Sequence, residues 1–295
     1  MKRPHETPLE SSENNPQPNA RCDRPVTPPA PTRRSTFAAR LRAMPDGAYA
    51  EERAFGQRGR WREVFGDRIG SAFDGRIELE IGCFDAGFLS TIAAKFPRTA
   101  FVGLDWKCKA IYEGARRIAS LGLKNVLLLH GRAQDLRSMF DDREISEIWV
   151  FHPDPFDTES ELKNRLMSAS FLRDAHALLA DGRSTLSLKT DHAGYYQWTL
   201  DLFGLHPSAA AQQCVQEPRA GEASPGDEGL HQLFDVTARS ADYWNDPTAL
   251  AATAGRAFAG EMTLFEQRFV SRKQPIHYFQ ITKRPPLSIA ATIEP

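Results

Sequence analysis

Residues 147–156 read EIWVFHPDPF, an apolar run that stops at Pro153-Asp154-Pro155. Proline fixes φ and lacks a backbone donor, so a strand reaching Pro153 must end there. Asp154 is thereby delivered on a stiff turn just beyond the carboxyl end of a buried strand. In an open α/β sheet that edge is where ligands bind. A second carboxylate, Asp191, follows the apolar run 184–188 in Lys189-Thr190-Asp191. Two such acids could stabilise positive charge on an acceptor or accept hydrogen bonds from it, and each could also do no more than order a turn or cap a helix.

A second constellation precedes them. The strand-like run 77–81 ends in Glu80-Ile81-Gly82, followed by Cys83-Phe84-Asp85-Ala86-Gly87-Phe88-Leu89. A glycine turn from strand into helix lets backbone approach a ligand and aims helix amides at it. The next strand-like run, 100–104, is followed by Asp105 and Trp106, and an acid at that place can accept both hydroxyls of a ribose. Neither GxGxxG nor GxxxxGK[ST] occurs, which points away from dinucleotides and nucleoside triphosphates and toward S-adenosylmethionine.

These residues need a scaffold, and the patterning supplies one. From residue 76 onward strand-like runs at 77–81, 100–104, 126–129, 148–151, 184–188 and 277–281 alternate with helical stretches at 86–95, 109–121, 133–140, 162–179 and 261–269. Uninterrupted apolar strands alternating with helices predict a parallel sheet covered on both faces. Residues 205–262 break the rhythm and predict an insertion that carries Tyr243 and Trp244 into a partly ordered lid. The expected organisation is a disordered leader (1–35), an arginine-rich helical segment (36–75), a catalytic domain (76–284) and a tail (285–295).

Composition limits the partners. The 295 residues are 41% hydrophobic and 25% charged with a formal net charge of -1, so nucleic-acid binding would need a local patch. Arg33, Arg34, Arg40, Arg42, Arg53, Arg58, Arg60 and Arg62 are the candidate; solvated surface charge is the competing account. Cys22, Cys83, Cys108 and Cys214 are too scattered for a zinc ribbon or a disulfide framework. No run is long and apolar enough to span a bilayer, so a cytoplasmic protein without membrane or metal partners is expected.

In order, these motifs resemble those of the bacterial tRNA (guanine-N7)-methyltransferases. Leu79, Glu80, Ile81, Gly82, Phe88 and Leu89 match the family's first turn, and Asp105 its next acid. Pro153-Asp154-Pro155 matches its Pro-Asp-Pro-Trp, with Phe156 for the tryptophan; Thr190-Asp191 its Thr-Asp pair; Thr263, Phe265, Glu266 and Arg268 its Thr-x-Phe-Glu-x-Arg. The resemblance implies a class I S-adenosylmethionine-dependent methyltransferase fold, α/β and Rossmann-like, with a mostly parallel seven-stranded sheet. It implies cofactor binding by Glu80, Gly82, Asp105 and Asp154, catalysis by Asp154 and Asp191, and tRNA guanine held by Asp191, Thr263, Phe265 and Glu266; the ring of Trp106 is expected to line the cofactor pocket, with core packing as the competing account.

The departures set the alternatives. Phe84 and Ala86 replace two glycines of the first turn and are expected to crowd it, and Arg132 stands where the family has an acid. The family's basic stretch after Pro-Asp-Pro-Trp is here acidic, at Asp157, Glu159 and Glu161, with only Lys163 and Arg165 retained, and Leu264 replaces a lysine. A paralogue that methylates a small heterocycle is one alternative. A non-catalytic binding protein is the other.

Overall fold

The computed structural model describes residues 33–44, 47–180, 183–205 and 229–285. The leader, Cys22, Cys214, the middle of the insertion and most of the tail lie outside the described residues.

Eight strands form one sheet: β1 (Ala48–Ala50), β2 (Ile77–Ile81), β3 (Ala100–Asp105), β4 (Val126–His130), β5 (Glu147–Phe151), β6 (Thr185–Thr190), β7 (Phe234–Ser240) and β8 (His277–Lys283). Their order is β1-β4-β3-β2-β5-β6-β8-β7. β1 to β6 run parallel, β8 is antiparallel to β6, and β7 is antiparallel to β8. The chain winds outward from β2 through β3 to β4, then crosses back to β5. The switch point therefore lies between β2 and β5, the place where ligand crevices open in such sheets.

Every residue of β2, β3, β5 and β6 is buried, as a sheet covered on both faces requires. Alternate side chains enter two cores. Leu79, Val102, Leu127, Ile148, Val150 and Leu188 pack on one face with Trp61, Phe65 and Leu172. Phe101, Leu128, Trp149 and Phe151 pack on the other with Leu89, Ile111, Phe258 and Tyr278.

Three expectations need correction. The sheet has eight strands rather than seven, because β1 adds an edge beside β4. β1 also interrupts the segment expected to be helical at 36–75, and that segment is not an appendage: Trp61 and Phe65 are fully buried in the main core. The buried Glu144 carboxylate fixes it, accepting backbone N–H groups from Gly59 (3.1 Å), Trp61 (2.8 Å) and Asp141 (2.8 Å), while Trp61 Nε1 donates to Met139 O at 2.8 Å. Finally, 162–179 is not one helix. A short turn, Leu162–Asn164, gives way to extended backbone at Arg165, and Ser168 caps a new helix, Ala169–Leu178, by accepting from Phe171 N.

Truncating Trp61 would empty a fully buried indole site. Trp61→Ala is expected to lower unfolding free energy by about 3–5 kcal/mol, read from urea titration. A loss below about 1 kcal/mol would show that the segment carries no core function.

Candidate functional site

The C-terminal ends of β2, β3, β5 and β6 bring most of the expected residues to one edge. At β2, Gly82 has φ +86, and a side chain added there would meet no atom within 4 Å, so the backbone faces open space. Gly82 N–H donates to Leu104 O at 2.8 Å, which ties the turn to β3. Phe84 and Ala86 adopt the left-handed φ values of +49 and +53 that glycine favours. A non-glycine residue held there costs roughly 1–3 kcal/mol. The expected crowding is relieved by direction: the Ala86 methyl is buried in the core, while the Phe84 ring is 47% exposed.

Asp105 holds this geometry. Its Oδ2 accepts from Phe84 N–H at 3.0 Å and its Oδ1 from Lys107 N–H at 2.7 Å. A carboxylate has about four lone-pair sites, so two acceptor positions remain for ligand hydroxyls. Trp106 next to it is 49% exposed. The Lys107 ammonium lies 5.9 Å from the Phe84 ring centre and 5.6 Å from that of Trp106. Arg132 is exposed on the neighbouring loop.

Glu80 differs from Glu78, whose Oε2 is likewise buried without a partner, in having no ion pair among the described residues. It is 5% exposed, and its Oε2 is buried with no hydrogen-bond partner among the described residues. Burial, followed by the charges of Asp105 and Glu266, pushes its carboxyl up to about 8. A buried acid with a vacant oxygen suits a cation.

Across the switch point, β5 is followed by His152, which is also left-handed (φ +52) and donates its N–H to Lys189 O at 2.8 Å. His152 Nδ1 lies 3.2 Å from Asp191 Oδ1, and Gln274 Nε2 donates to Asp191 Oδ2 at 3.4 Å. Burial alone would raise the Asp191 carboxyl, but the hydrogen bond and charge of His152 hold it below its ordinary value. Asp154 stands exposed on its turn. The turn is clamped by Arg165, whose Nε donates to Pro155 O at 2.7 Å while its guanidinium lies over Tyr195 and Trp198. Asp157, the first residue of the acidic stretch, faces His192 Nε2 at 3.1 Å and Arg165 at 3.6 Å.

Thr263 and Glu266 are placed differently from Asp154. They form a capping box at the start of the helix Leu264–Ser271, with Thr263 N–H donating to Glu266 Oε2 at 2.7 Å and Glu266 N–H to Thr263 Oγ1 at 3.1 Å. Both are buried, whereas Leu264 and Phe265 face outward. The Phe265 and Phe269 rings lie against His152.

Sequence reasoning gave no role to Lys189, which is fully buried and donates to Glu266 Oε1 at 2.9 Å. Burial lowers its pKa against the pull of Glu266. A lone lysine closing an otherwise uncharged buried strand was the available signal. Arg165 and Gln274 were missed as braces because their partners are distant in sequence.

The arginine-rich stretch is engaged within the chain. Arg58 bonds Asp141 and Phe140 O, Arg60 pairs with Glu63, and Arg62 donates to Gly75 O and Arg143 O. Arg53 lies 4.0 Å from the Tyr49 ring centre. Arg40 and Arg42 are exposed, and the side chains of Arg33 and Arg34 lie outside the described residues.

The strand order and the glycine turn define the class I S-adenosylmethionine-dependent methyltransferase fold. A profile described as a putative methyltransferase matches residues 74–223, just over half of the chain. A tRNA (guanine-N(7)-)-methyltransferase of Cytophaga hutchinsonii is 31% identical over 145 residues, 49% of this chain and 62% of that protein. One from Oenococcus oeni is 31% identical over 161 residues, covering 54% and 70%. One from Christiangramia forsetii is 29% identical over 230 residues, covering 78% and 86%. Among solved structures, the antibiotic-resistance methyltransferase Kmr has a TM-score of 0.47 and 15% identity over 76% of this chain and 92% of its own. The match with the first of these relatives spans less than two thirds of that relative's length. The chain belongs to the tRNA (guanine-N7)-methyltransferase family.

If Arg165 holds the Pro153–Phe156 turn, Arg165→Gln should lower unfolding free energy by about 1.5–3 kcal/mol, the usual effect of losing a charged hydrogen bond. An unchanged denaturation midpoint would show that the two prolines suffice.

Proposed function

We propose that this protein transfers a methyl group from S-adenosylmethionine to guanine N7, with tRNA as the acceptor and the cytoplasm as its place of action. The observation that carries the reading is that one edge of the sheet carries both a glycine turn braced by Asp105 and, on the neighbouring strand ends, the carboxylates Asp154 and Asp191. The residues present fit the cofactor: open space over Gly82, free acceptor positions on Asp105, and an unpartnered carboxyl oxygen on Glu80. Trp106 offers an exposed ring beside them, and Asp154 completes the set from β5.

When bound, the cofactor supplies an electrophilic methyl group on a cationic sulfonium. Guanine N7 carries a lone pair and no proton, so the protein needs no general base to expose it. Its work is alignment, which can supply about 7–11 kcal/mol. Methylation places positive charge on the purine. Asp154 and Asp191 stabilise that charge and accept from the guanine N1 and N2 protons. His152 and Gln274 hold Asp191 ionised and oriented. Phe265 presents a ring to the base, and the capping box of Thr263 and Glu266 sets where that ring stands.

A second reading, a small heterocyclic acceptor, is favoured by one specific observation. Arg58, Arg60 and Arg62 are occupied within the chain, while Glu159 and Glu161 leave an exposed acidic surface near Asp154. Methylation assays with tRNA and with free nucleosides in parallel separate the two. Asp154→Asn should cut turnover far more than thermal stability. Equal loss of both, or an unchanged rate, would reduce Asp154 to a turn-former.

Glu80 adds a pH signature. With its carboxyl at about 8, Glu80 holds a proton in the cofactor-free protein at pH 7. A cation docking on Oε2 favours the ionised form, so binding should release a proton and affinity should rise as pH increases toward 8. Calorimetry in buffers of different ionisation enthalpy measures this release, and Glu80→Gln should abolish it. Binding without proton release would place the cation elsewhere.

A further inference from the structure

The Lys189 ammonium is surrounded by four aromatic rings, one from β5 and three from the insertion. Phe151 at the end of β5, Tyr243 and Trp244 of the insertion, and Phe258 have centres 5.0, 4.6, 4.9 and 5.3 Å away. Its partner Glu266 takes three donors. Oε1 accepts from Lys189 at 2.9 Å and from Trp244 Nε1 at 3.3 Å, and Oε2 accepts from Thr263 N–H. Neither residue of the pair has any exposed side-chain surface. Burying two charges is expensive, and a well-packed apolar pair is often at least as stable. An ammonium here has what an apolar side chain lacks, a directional bond.

That bond adds a side-chain tie between segments that the β6-β8-β7 ladder joins only at their ends. Lys189 lies two residues before Asp191 on β6, and its carbonyl receives the His152 N–H. Glu266 begins the helix whose Phe265 and Phe269 rings lie against His152, and His152 in turn touches Asp191. Trp244 brings the insertion to the same carboxylate. We propose that Lys189 and Glu266 are a positioning pair that assembles the acceptor half of the site, fixing the helix Leu264–Ser271 and the Trp244 turn relative to Asp191. This inference rests on the methyltransferase reading for its kinetic test, though its geometric test does not.

The test uses the full chain carrying Lys189→Met and Glu266→Gln together. The glutamine oxygen can still accept the Thr263 N–H, and removing the pair takes away the lesser of the two charges that raise Glu80, leaving burial and Asp105 in place. Cofactor affinity should therefore stay within about threefold of wild type. Turnover with acceptor should fall about a hundredfold, as misplacement of reacting groups by roughly 1 Å does. Hydrogen exchange should quicken at residues 263–271 and 243–245 and not elsewhere. Wild-type turnover in a folded double variant would overturn the proposal, as would exchange unchanged at those residues or raised uniformly. Should the double variant fail to fold, Trp244→Phe, which removes the indole N–H to Glu266 and keeps a smaller aromatic ring beside Lys189, decides. Lower turnover at unchanged cofactor affinity supports the pair, and an unaltered rate refutes it. A wild-type protein that binds no S-adenosylmethionine would sink the methyltransferase reading, leaving the exchange comparison to judge the pair alone.

Discussion

Burial of the parallel sheet on both faces is the constraint from which the rest follows. With β2, β3, β5 and β6 enclosed along their whole length, most of the functional polar groups gather where strands end. Parallel strands put all their carboxyl ends on one side, so Gly82, Asp105, His152 and Asp191 become neighbours despite wide separation in the chain. The exceptions inside the sheet are telling. At the amino edge, Glu78 and Glu147 are compensated by Arg76 and Arg256. Near the carboxyl edge Glu80 has no ion-pair partner among the described residues, and that difference separates a compensated acid from one that can receive a ligand.

The site is organised by braces more than by free functional groups. Asp105 spans two turns, Arg165 clamps the proline turn, and Lys189 ties the insertion to the last helix. Left-handed backbone at Phe84, Ala86, His152 and Phe156 marks the same edge. Strain at four non-glycine positions around one crevice persists only where surrounding bonds over-determine it. The hydrogen bonds from Phe84 to Asp105 and from His152 to Lys189 are part of that control.

Local patterning made much of this legible. Six strands were readable because continuous apolar runs are rare outside buried sheets, and Asp154 because Pro153 and Pro155 admit few alternatives. β1 was not readable: three residues carry no period, and it exists only because β4 offers an edge. β7 was hidden inside a segment of turn-forming residues, and as an edge strand it buries only alternate side chains. The break at Arg165 escaped because its cause is a carbonyl ten residues away. Thr263 and Glu266 are ligand contacts by resemblance, and in the fold they also satisfy each other, a pairing that the Thr-x-x-Glu spacing announces as a capping box.

The seating of the N-terminal segment has a consequence for biogenesis. Its partners arrive late: Trp61 waits for Met139 and Glu144, separations of 78 and 83 residues, and β1 pairs with Leu128 to His130. A chain emerging from the ribosome must carry an uncovered tryptophan and an unpaired strand until the middle of the sheet has been synthesised. Contacts of such sequence separation close slowly, and exposed apolar surface during that interval invites chaperones or self-association. The edge that completes the sheet is therefore made before its partners and is among the last parts to be secured.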